Sequence, residues 1–188
     1  MRVLGIDPGS AVTGFGVVDR AGSIVRHRAH GTVRPERGAP LAARLGMLLE
    51  GLSEVIEAHA PEVVVIERVF VSASPRSALV LGQARGVAMA SAASRGIPVV
   101  EYAASQIKQA VVGTGAATKP QVQAMVKTLL ELPKAPAQDA ADALAAAICH
   151  AHAGRLSRLL AEGEAPTVRG GRGRGRRGGC GYVVRRAR

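Results

Sequence analysis

EVVVI, residues 62–66, is an almost wholly apolar run of β-branched residues that follows Pro61. Its length and composition predict a central strand that is covered on both faces of a sheet. Upstream, residues 40–59 carry leucine, valine and isoleucine at helical spacing, which predicts an amphipathic helix that ends at Pro61. A helix that leads into a buried strand is typical of α/β proteins.

The elements on either side of this strand complete the predicted fold. Residues 3–7, 14–19 and 24–33 read as strands with short links, which predicts an antiparallel meander. After the central strand, the patterns predict a strand at residues 97–102 and helices at 77–95, 104–112, 118–130 and from 137 to beyond 153. This order predicts an α/β fold of the ribonuclease H-like type, with a mixed five-stranded sheet and helices on both faces.

Charge divides the chain into two parts. Residues 1–165 have the composition of one domain with an aliphatic core, because aromatic residues make up only 2% of the chain. Residues 166–188 form a Gly/Arg-rich basic tail, which contains eight arginines and no acidic residue, and this composition predicts disorder. The tail therefore supplies most of the net charge of +11, which indicates a polyanionic partner.

Cysteine use and the N-terminus bear on the compartment. Cys149 and Cys180 lie far apart, with no zinc-site spacing, so they do not indicate a disulfide framework. The first ten residues, MRVLGIDPGS, read as a strand and a turn rather than as a signal peptide. We expect a cytoplasmic protein.

Four acidic residues occupy special places in this predicted fold. Asp7 ends the first strand and precedes Pro8-Gly9, and Glu67 follows directly on the most apolar strand. Asp139 and Asp142 are three residues apart near the start of the last helix, so they share one face. If the first and central strands are neighbours, Asp7 and Glu67 lie close together at their ends.

Carboxylates crowded in this way favour a divalent cation. Their mutual repulsion and burial raise their pKa values, and Mg²⁺, which prefers carboxylate oxygens and water, removes that cost. Two such ions roughly 3.5–4 Å apart activate a water and stabilise a leaving oxygen. The four residues therefore predict phosphodiester hydrolysis with two Mg²⁺ ions.

Each residue also has a purely structural interpretation. Asp7 before Pro-Gly is a common turn former, and an acidic pair at a helix start is favoured by the helix dipole. Glu67 is next to Arg68, so it would also fit a surface ion pair. His150 and His152 invite a zinc site, but positions two apart on a helix point in different directions and cannot share an ion there.

Five segments, in unbroken order over residues 1–154, resemble one known family. They are GIDPGS (5–10), VVVIERVF (63–70), LGQARG (81–86), EYAASQIKQAVVG (101–113) and DAADALAAAICHAH (139–152). This pattern is similar to that of the RuvC family of Holliday-junction resolvases. The resemblance implies a homodimeric endonuclease of recombination and DNA repair that uses Mg²⁺ or Mn²⁺ and nicks four-way junction DNA symmetrically. It assigns Asp7, Glu67, Asp139 and Asp142 as catalytic and metal-binding residues.

The resemblance also implies contacts with DNA and with other proteins. Phe70 would stack on a base that is unpaired at the junction, although burial against the sheet is an alternative. Lys108 and Lys119 would lie near the scissile strand, and Lys119 at a helix start is well placed for phosphate. Independently of the resemblance, Arg76 and Arg85 are candidates for phosphate contact, with a merely solvated surface arginine as the alternative. Family members act with the RuvA–RuvB branch-migration complex, while the Gly/Arg tail departs from the family pattern.

Three other functions fit parts of the sequence. A second ribonuclease H-like enzyme, acting on RNA–DNA hybrids or recombination intermediates, would use the same carboxylates. The GIDPGS segment followed by Thr13-Gly14 also resembles the phosphate loop of actin-like sugar kinases, but this chain lacks a second phosphate loop and an adenosine motif. A non-catalytic junction-binding protein would not need all four carboxylates.

Overall fold

A computed structural model describes residues 1–68 and 74–163, with residues 154–163 described as backbone only. Within these ranges, strands precede and alternate with helices in the predicted order. The strands are β1 (Arg2–Asp7), β2 (Thr13–Ala21), β3 (Ile24–Val33), β4 (Val63–Arg68) and β5 (Val99–Ala103). The helices are α1 (Leu41–His59), α2 (Pro75–Ala93), α3 (Ala104–Val112), α4 (Lys119–Leu129) and α5 (Gln138–Gly163).

The five strands form one mixed sheet in the order β3-β2-β1-β4-β5. The first three strands pair antiparallel, which confirms the meander. β4 pairs parallel with β1, and β5 pairs parallel with β4. β1 is therefore central, and its carboxyl end meets the carboxyl end of β4 at the same edge of the sheet.

Two apolar layers cover the sheet, because alternate strand residues face opposite sides. Leu4, Val64 and Ile66 pack on the face that α1 and α2 cover. Val3 and Val65 pack on the opposite face, together with buried residues of α3, α4 and α5. Both layers are aliphatic, and Cys149 is a buried free thiol in α5. The predicted aliphatic core and the helices on both faces are confirmed.

The ends of the elements differ slightly from the predictions. β5 begins at Val99 rather than Ile97, because Pro98 cannot donate to a strand ladder. α2 begins at Pro75 rather than Ser77, because the Ser74 hydroxyl accepts a hydrogen bond from the Ser77 N–H and caps the helix.

None of the described helices is long and apolar enough to cross a membrane. Phe70 and the Gly/Arg tail of residues 166–188 lie outside the described residues.

Helix α5 lies unusually close to β1 and β2. The contact is made where the strands carry Gly5, Gly14 and Gly16. A β-carbon added at Gly14 would overlap the carbonyl oxygen of Asp139, and one at Gly5 would overlap that of Ala143. The helix contributes mainly alanine to this contact, so backbone packs almost against backbone. These glycines therefore set the height of α5 above the sheet.

We predict that Gly14→Ala displaces the start of α5 and lowers the free energy of unfolding by roughly 1–3 kcal/mol or more, because the new methyl group has no space. The matched control is Gly46→Ala in α1, where a β-carbon meets nothing within 4 Å. That control should stabilise the protein by about 0.5–1 kcal/mol through helix propensity. Urea denaturation of both variants is the measurement, and equal effects would contradict the close contact.

Candidate active site

Asp7 and Glu67 lie at adjacent strand ends. The parallel register places Ile6 beside Ile66, so the two acidic residues follow at neighbouring positions. Because Ile6 and Ile66 face α1 and α2, the next side chain on each strand faces α5. The predicted site required that the first strand and the apolar strand of residues 62–66 be neighbours. The pairing of β1 with β4 confirms this.

Helix α5 brings the other two acidic residues to this edge. Gly14 is the β2 partner of Asp7, and the backbone of Asp139 lies directly over Gly14. Asp142 is one turn further along α5. Asp7, Glu67 and Asp142 line a single cavity of about 300 Å³. Asp139 is not part of that lining, but its charge acts on Asp7 from the first turn of the helix.

The grouping of these carboxylates has a large electrostatic effect on Asp7. The pKa of Asp7 is raised from 3.8 to about 7, mainly by burial and then by the charges of Asp142, Glu67 and Asp139, in that order. Burial, and then the charge of Asp142, also raises the pKa of Glu67. The raised pKa values of Asp7 and Glu67 mean that the negative charge of these two side chains is poorly compensated when they are ionised.

Two lysines supply positive charge in the same cavity. The Lys119 ammonium donates a hydrogen bond to Asp142 Oδ2 over 3.3 Å. Burial lowers the pKa of Lys119, but its attraction to Asp142, Asp7 and Glu67 outweighs this and leaves the pKa raised. Lys108 lines the cavity, and its charge lowers the pKa of Glu67. Both predicted lysines therefore lie with the carboxylates.

The residue types fit a hard divalent cation. Carboxylate oxygens in a half-buried cavity are the ligands of Mg²⁺ and Mn²⁺, and a cation there would relieve the repulsion that raises the pKa of Asp7. Within the described ranges, no three acidic, histidine or cysteine side chains form a ready-made metal-binding group. One physical reason is that Lys119 is hydrogen-bonded to Asp142. Binding a cation would require small shifts of these side chains.

Thr13, which the sequence brought out only through the likeness to a sugar-kinase phosphate loop, supports the turn after Asp7. Its hydroxyl donates to the Gly9 carbonyl over 2.8 Å and accepts from the Gly9 N–H over 3.2 Å. Thr13 is buried, so these bonds fix the turn that follows Asp7. A threonine four residues after a glycine turn carries little signal by itself, and only the fold shows the contact.

Arg76 and Arg85, the two arginines predicted to contact phosphate, do not line the cavity. Arg76 lines a separate depression with Ser10 and Leu81, and Leu81 also borders the carboxylate cavity. The structure does not support a phosphate contact for Arg85, because its guanidinium is ion-paired with Glu101. Arg68 also pairs with Glu101, which argues against the alternative that Glu67 merely pairs with Arg68.

The two histidines of α5 point to different places, as their spacing predicts. His150 Nδ1 lies 2.9 Å from the Tyr102 hydroxyl. His152 instead lines a groove between α3 and α5 together with Cys149 and Ala153. The histidines therefore do not converge on one point.

Comparisons with known proteins agree on one family. A family model described as crossover junction endodeoxyribonuclease RuvC matches residues 3–150. The protein of that name from Syntrophotalea carbinolica is 51% identical over 160 residues, which cover 85% of this chain and 99% of the relative. The one from Burkholderia ambifaria is 54% identical over 154 residues, which cover 82% of this chain and 84% of the relative.

Solved structures show the same relationship. RuvC from Thermus thermophilus in complex with a Holliday junction substrate is 35% identical, with a TM-score of 0.78 over 84% of this chain and 96% of that one. The yeast mitochondrial Holliday junction resolvase Ydc2 is 14% identical, with a TM-score of 0.60 over 85% of this chain and 80% of that one. The latter similarity concerns the fold alone.

The raised pKa of Asp7 predicts a pH dependence of stability in the metal-free protein. The folded state holds the Asp7 proton up to about pH 7, whereas the unfolded state releases it near 3.8. The free energy of unfolding therefore falls by up to about 4 kcal/mol as the pH rises from 3.8 to about 7, because the folded state must give up a proton that the unfolded state has already lost. Asp7→Asn cannot ionise, so it should lose less stability than the wild type over this range.

The measurement is urea unfolding of both proteins from pH 4 to pH 8 in a chelator. The two pH profiles are expected to diverge as the pH rises, with the variant the more stable at pH 8. Parallel profiles would show that Asp7 is not held in a protonated state by its neighbours.

Proposed function

This chain belongs to the RuvC family of crossover junction endodeoxyribonucleases, and on that premise we propose that it cuts Holliday junctions at the cavity of Asp7, Glu67, Asp139 and Asp142. The protein is a nuclease of recombination and DNA repair that hydrolyses phosphodiester bonds. The observation that supports this site is the meeting of Asp7, Glu67 and Asp142 with Lys108 and Lys119 in one cavity.

The four carboxylates would hold two Mg²⁺ ions, for which Mn²⁺ substitutes. When bound, such ions activate a water and stabilise the leaving oxygen. Asp7 and Glu67 stand at the ends of neighbouring strands, and Asp142 comes from the helix that packs on the sheet. Their positions are therefore fixed by the core rather than by a loop, which suits a site that must hold ions in a defined geometry.

The lysines of the cavity would bind the scissile phosphate. Lys119 is the first residue of α4, where free backbone N–H groups also favour an anion. In the metal-free protein its ammonium is bound by Asp142. We propose that Lys119 turns to phosphate when the carboxylates have their cations, and that Lys108 binds the same strand from α3.

Further DNA contacts would surround the cavity. Arg76, near the start of α2, lines a depression together with Ser10. Leu81 lines both this depression and the carboxylate cavity, so the position of Arg76 suits a phosphate next to the scissile one. Phe70, three residues beyond Glu67 in the sequence, would stack on an unpaired base. The basic tail would add affinity that does not depend on base sequence and that weakens with salt.

We further propose that the active form is a homodimer. A four-way junction has approximate two-fold symmetry, and a two-fold dimer presents two identical cavities to two symmetric strands. Paired nicks in one encounter require both cavities. By its family resemblance, the protein would act in the cytoplasm together with the RuvA–RuvB branch-migration complex.

The alternatives are distinguished by substrate. A ribonuclease H-like enzyme for RNA–DNA hybrids would prefer hybrids over junctions in a panel of labelled substrates. A non-catalytic binding protein would leave every substrate intact in the presence of Mg²⁺. The family match over residues 3–150 argues against a sugar kinase.

We predict that Asp7→Asn reduces cleavage of a synthetic four-way junction at least about 10³-fold while junction binding changes less than threefold, because the change removes a metal ligand but no DNA contact. Asp19→Asn is the matched control, since Asp19 pairs with Arg2 and Arg28 at the opposite end of the sheet. Cleavage is measured with and without Mg²⁺, and binding by mobility shift in Ca²⁺. Loss of binding in Asp7→Asn would assign that residue a structural role instead.

Replacing the eight arginines of residues 166–188 by glutamine tests the tail. We expect junction affinity to fall at low salt, and the plot of log affinity against log salt to become less steep by several units, because each phosphate contact contributes about 0.9. The cleavage rate at saturating protein should stay within about twofold of the wild type. An unchanged salt slope would show that the tail does not bind DNA.

A further inference from the structure

Glu101 is the centre of an ion-pair group on the face of the sheet opposite the carboxylate cavity. Arg85 reaches it from α2, and its guanidinium donates to Glu101 Oε1. Arg68 reaches it from the end of β4, with its Nε 3.8 Å from Glu101 Oε2. One carboxylate thus joins the helix, the outer strand β5 and the last residue of β4.

The backbone around Glu67 explains why this group matters. β4 pairs with the central strand β1 only as far as Ile66, whereas its pairing with β5 continues to Arg68. The end of β4 that carries Glu67 is therefore held by a strand on one side only. Glu101 is the β5 partner of Ile66 and lies diagonally across from Arg68 on the same face. The Arg68–Glu101 ion pair adds a side-chain link to β5 at the point where β1 no longer pairs with β4.

Glu101 is itself anchored by Arg85, in a pair that is less exposed than the one it forms with the half-exposed Arg68. The side chains of Arg85 and Glu101 are only 21% and 28% exposed, so water competes weakly for either charge. Among the residues that the structure describes, the Nε of Arg85 is buried without a hydrogen-bond partner, and its Nη1 donates to the Met89 sulphur over 3.6 Å. The guanidinium therefore depends on Glu101 for its strong interaction, and α2 is fixed to β5 through it.

We propose that Glu101 is a positioning residue for the nuclease site, acting through Arg68 to hold the end of β4 so that Glu67 keeps its place in the cavity. This inference rests on the proposed role of Glu67 as a metal-binding carboxylate. Glu101 itself faces away from the cavity and touches neither the substrate nor the ions. Its loss should weaken metal binding without removing a ligand or a DNA contact.

The test is Glu101→Gln in the full chain, with Mn²⁺ binding followed by electron paramagnetic resonance. We expect the Mn²⁺ dissociation constant to rise about tenfold, and the Mg²⁺ concentration for half-maximal cleavage to rise in parallel. Junction binding in Ca²⁺ should change less than twofold. Glu57→Gln is the matched control, because Glu57 of α1 pairs over 2.8 Å with Arg95, which follows α2, and among the described residues this pair shares no member with the ion pairs of Glu101; it should behave as the wild type.

Two further variants separate the possible failures. Glu67→Gln should weaken Mn²⁺ binding more than Glu101→Gln does. If Glu67→Gln binds Mn²⁺ like the wild type, the proposed role of Glu67 fails, and with it the inference. If Glu67→Gln weakens binding but Glu101→Gln does not, the positioning role alone is overturned. If Glu101→Gln fails to fold, Glu101→Asp replaces it, because aspartate keeps the charge on a shorter side chain. We expect its Mn²⁺ dissociation constant to rise about threefold, and an unchanged constant would overturn the inference.

Discussion

The site depends on the close packing of α5 against three glycines of β1 and β2. Asp7 and Glu67 are brought together by strand pairing alone, but Asp142 arrives on a helix whose height is set by Gly5, Gly14 and Gly16. With a β-carbon on any of these glycines, the helix would stand further from the sheet. The same contact thus builds much of the aliphatic core and completes the carboxylate cavity.

Bringing like charges together costs stability, and the protein offsets this only in part. Asp7 keeps its proton to about pH 7, and Lys119 holds Asp142. Both features describe a cavity whose two lysines do not balance its carboxylates, and divalent cations would supply the missing positive charge. Enzyme active sites often hold like charges close together. The repulsion lowers the stability of the folded protein, and the binding of cation and substrate relieves it.

Hydrophobic periodicity was sufficient to predict the five strands and the helices, since each element buries one face or two. The meeting of Asp7 with Glu67 also followed, because parallel neighbours end at one edge. The links of Thr13 to Gly9 and of Glu101 to Arg68 and Arg85 could not be predicted. They join positions whose partners depend on register and helix placement, which no local pattern encodes. For that reason the sequence offered Arg85 as a candidate for phosphate contact, whereas the structure pairs it with Glu101.

The most direct test of the central claim is an anomalous difference map, recorded at the manganese edge from crystals grown with Mn²⁺. Two peaks roughly 3.5–4 Å apart, contacted by oxygens of Asp7, Glu67 and the acidic residues of α5, are the result that a two-ion nuclease site predicts. Strong peaks only elsewhere on the protein, with Lys119 still bound to Asp142, would contradict it.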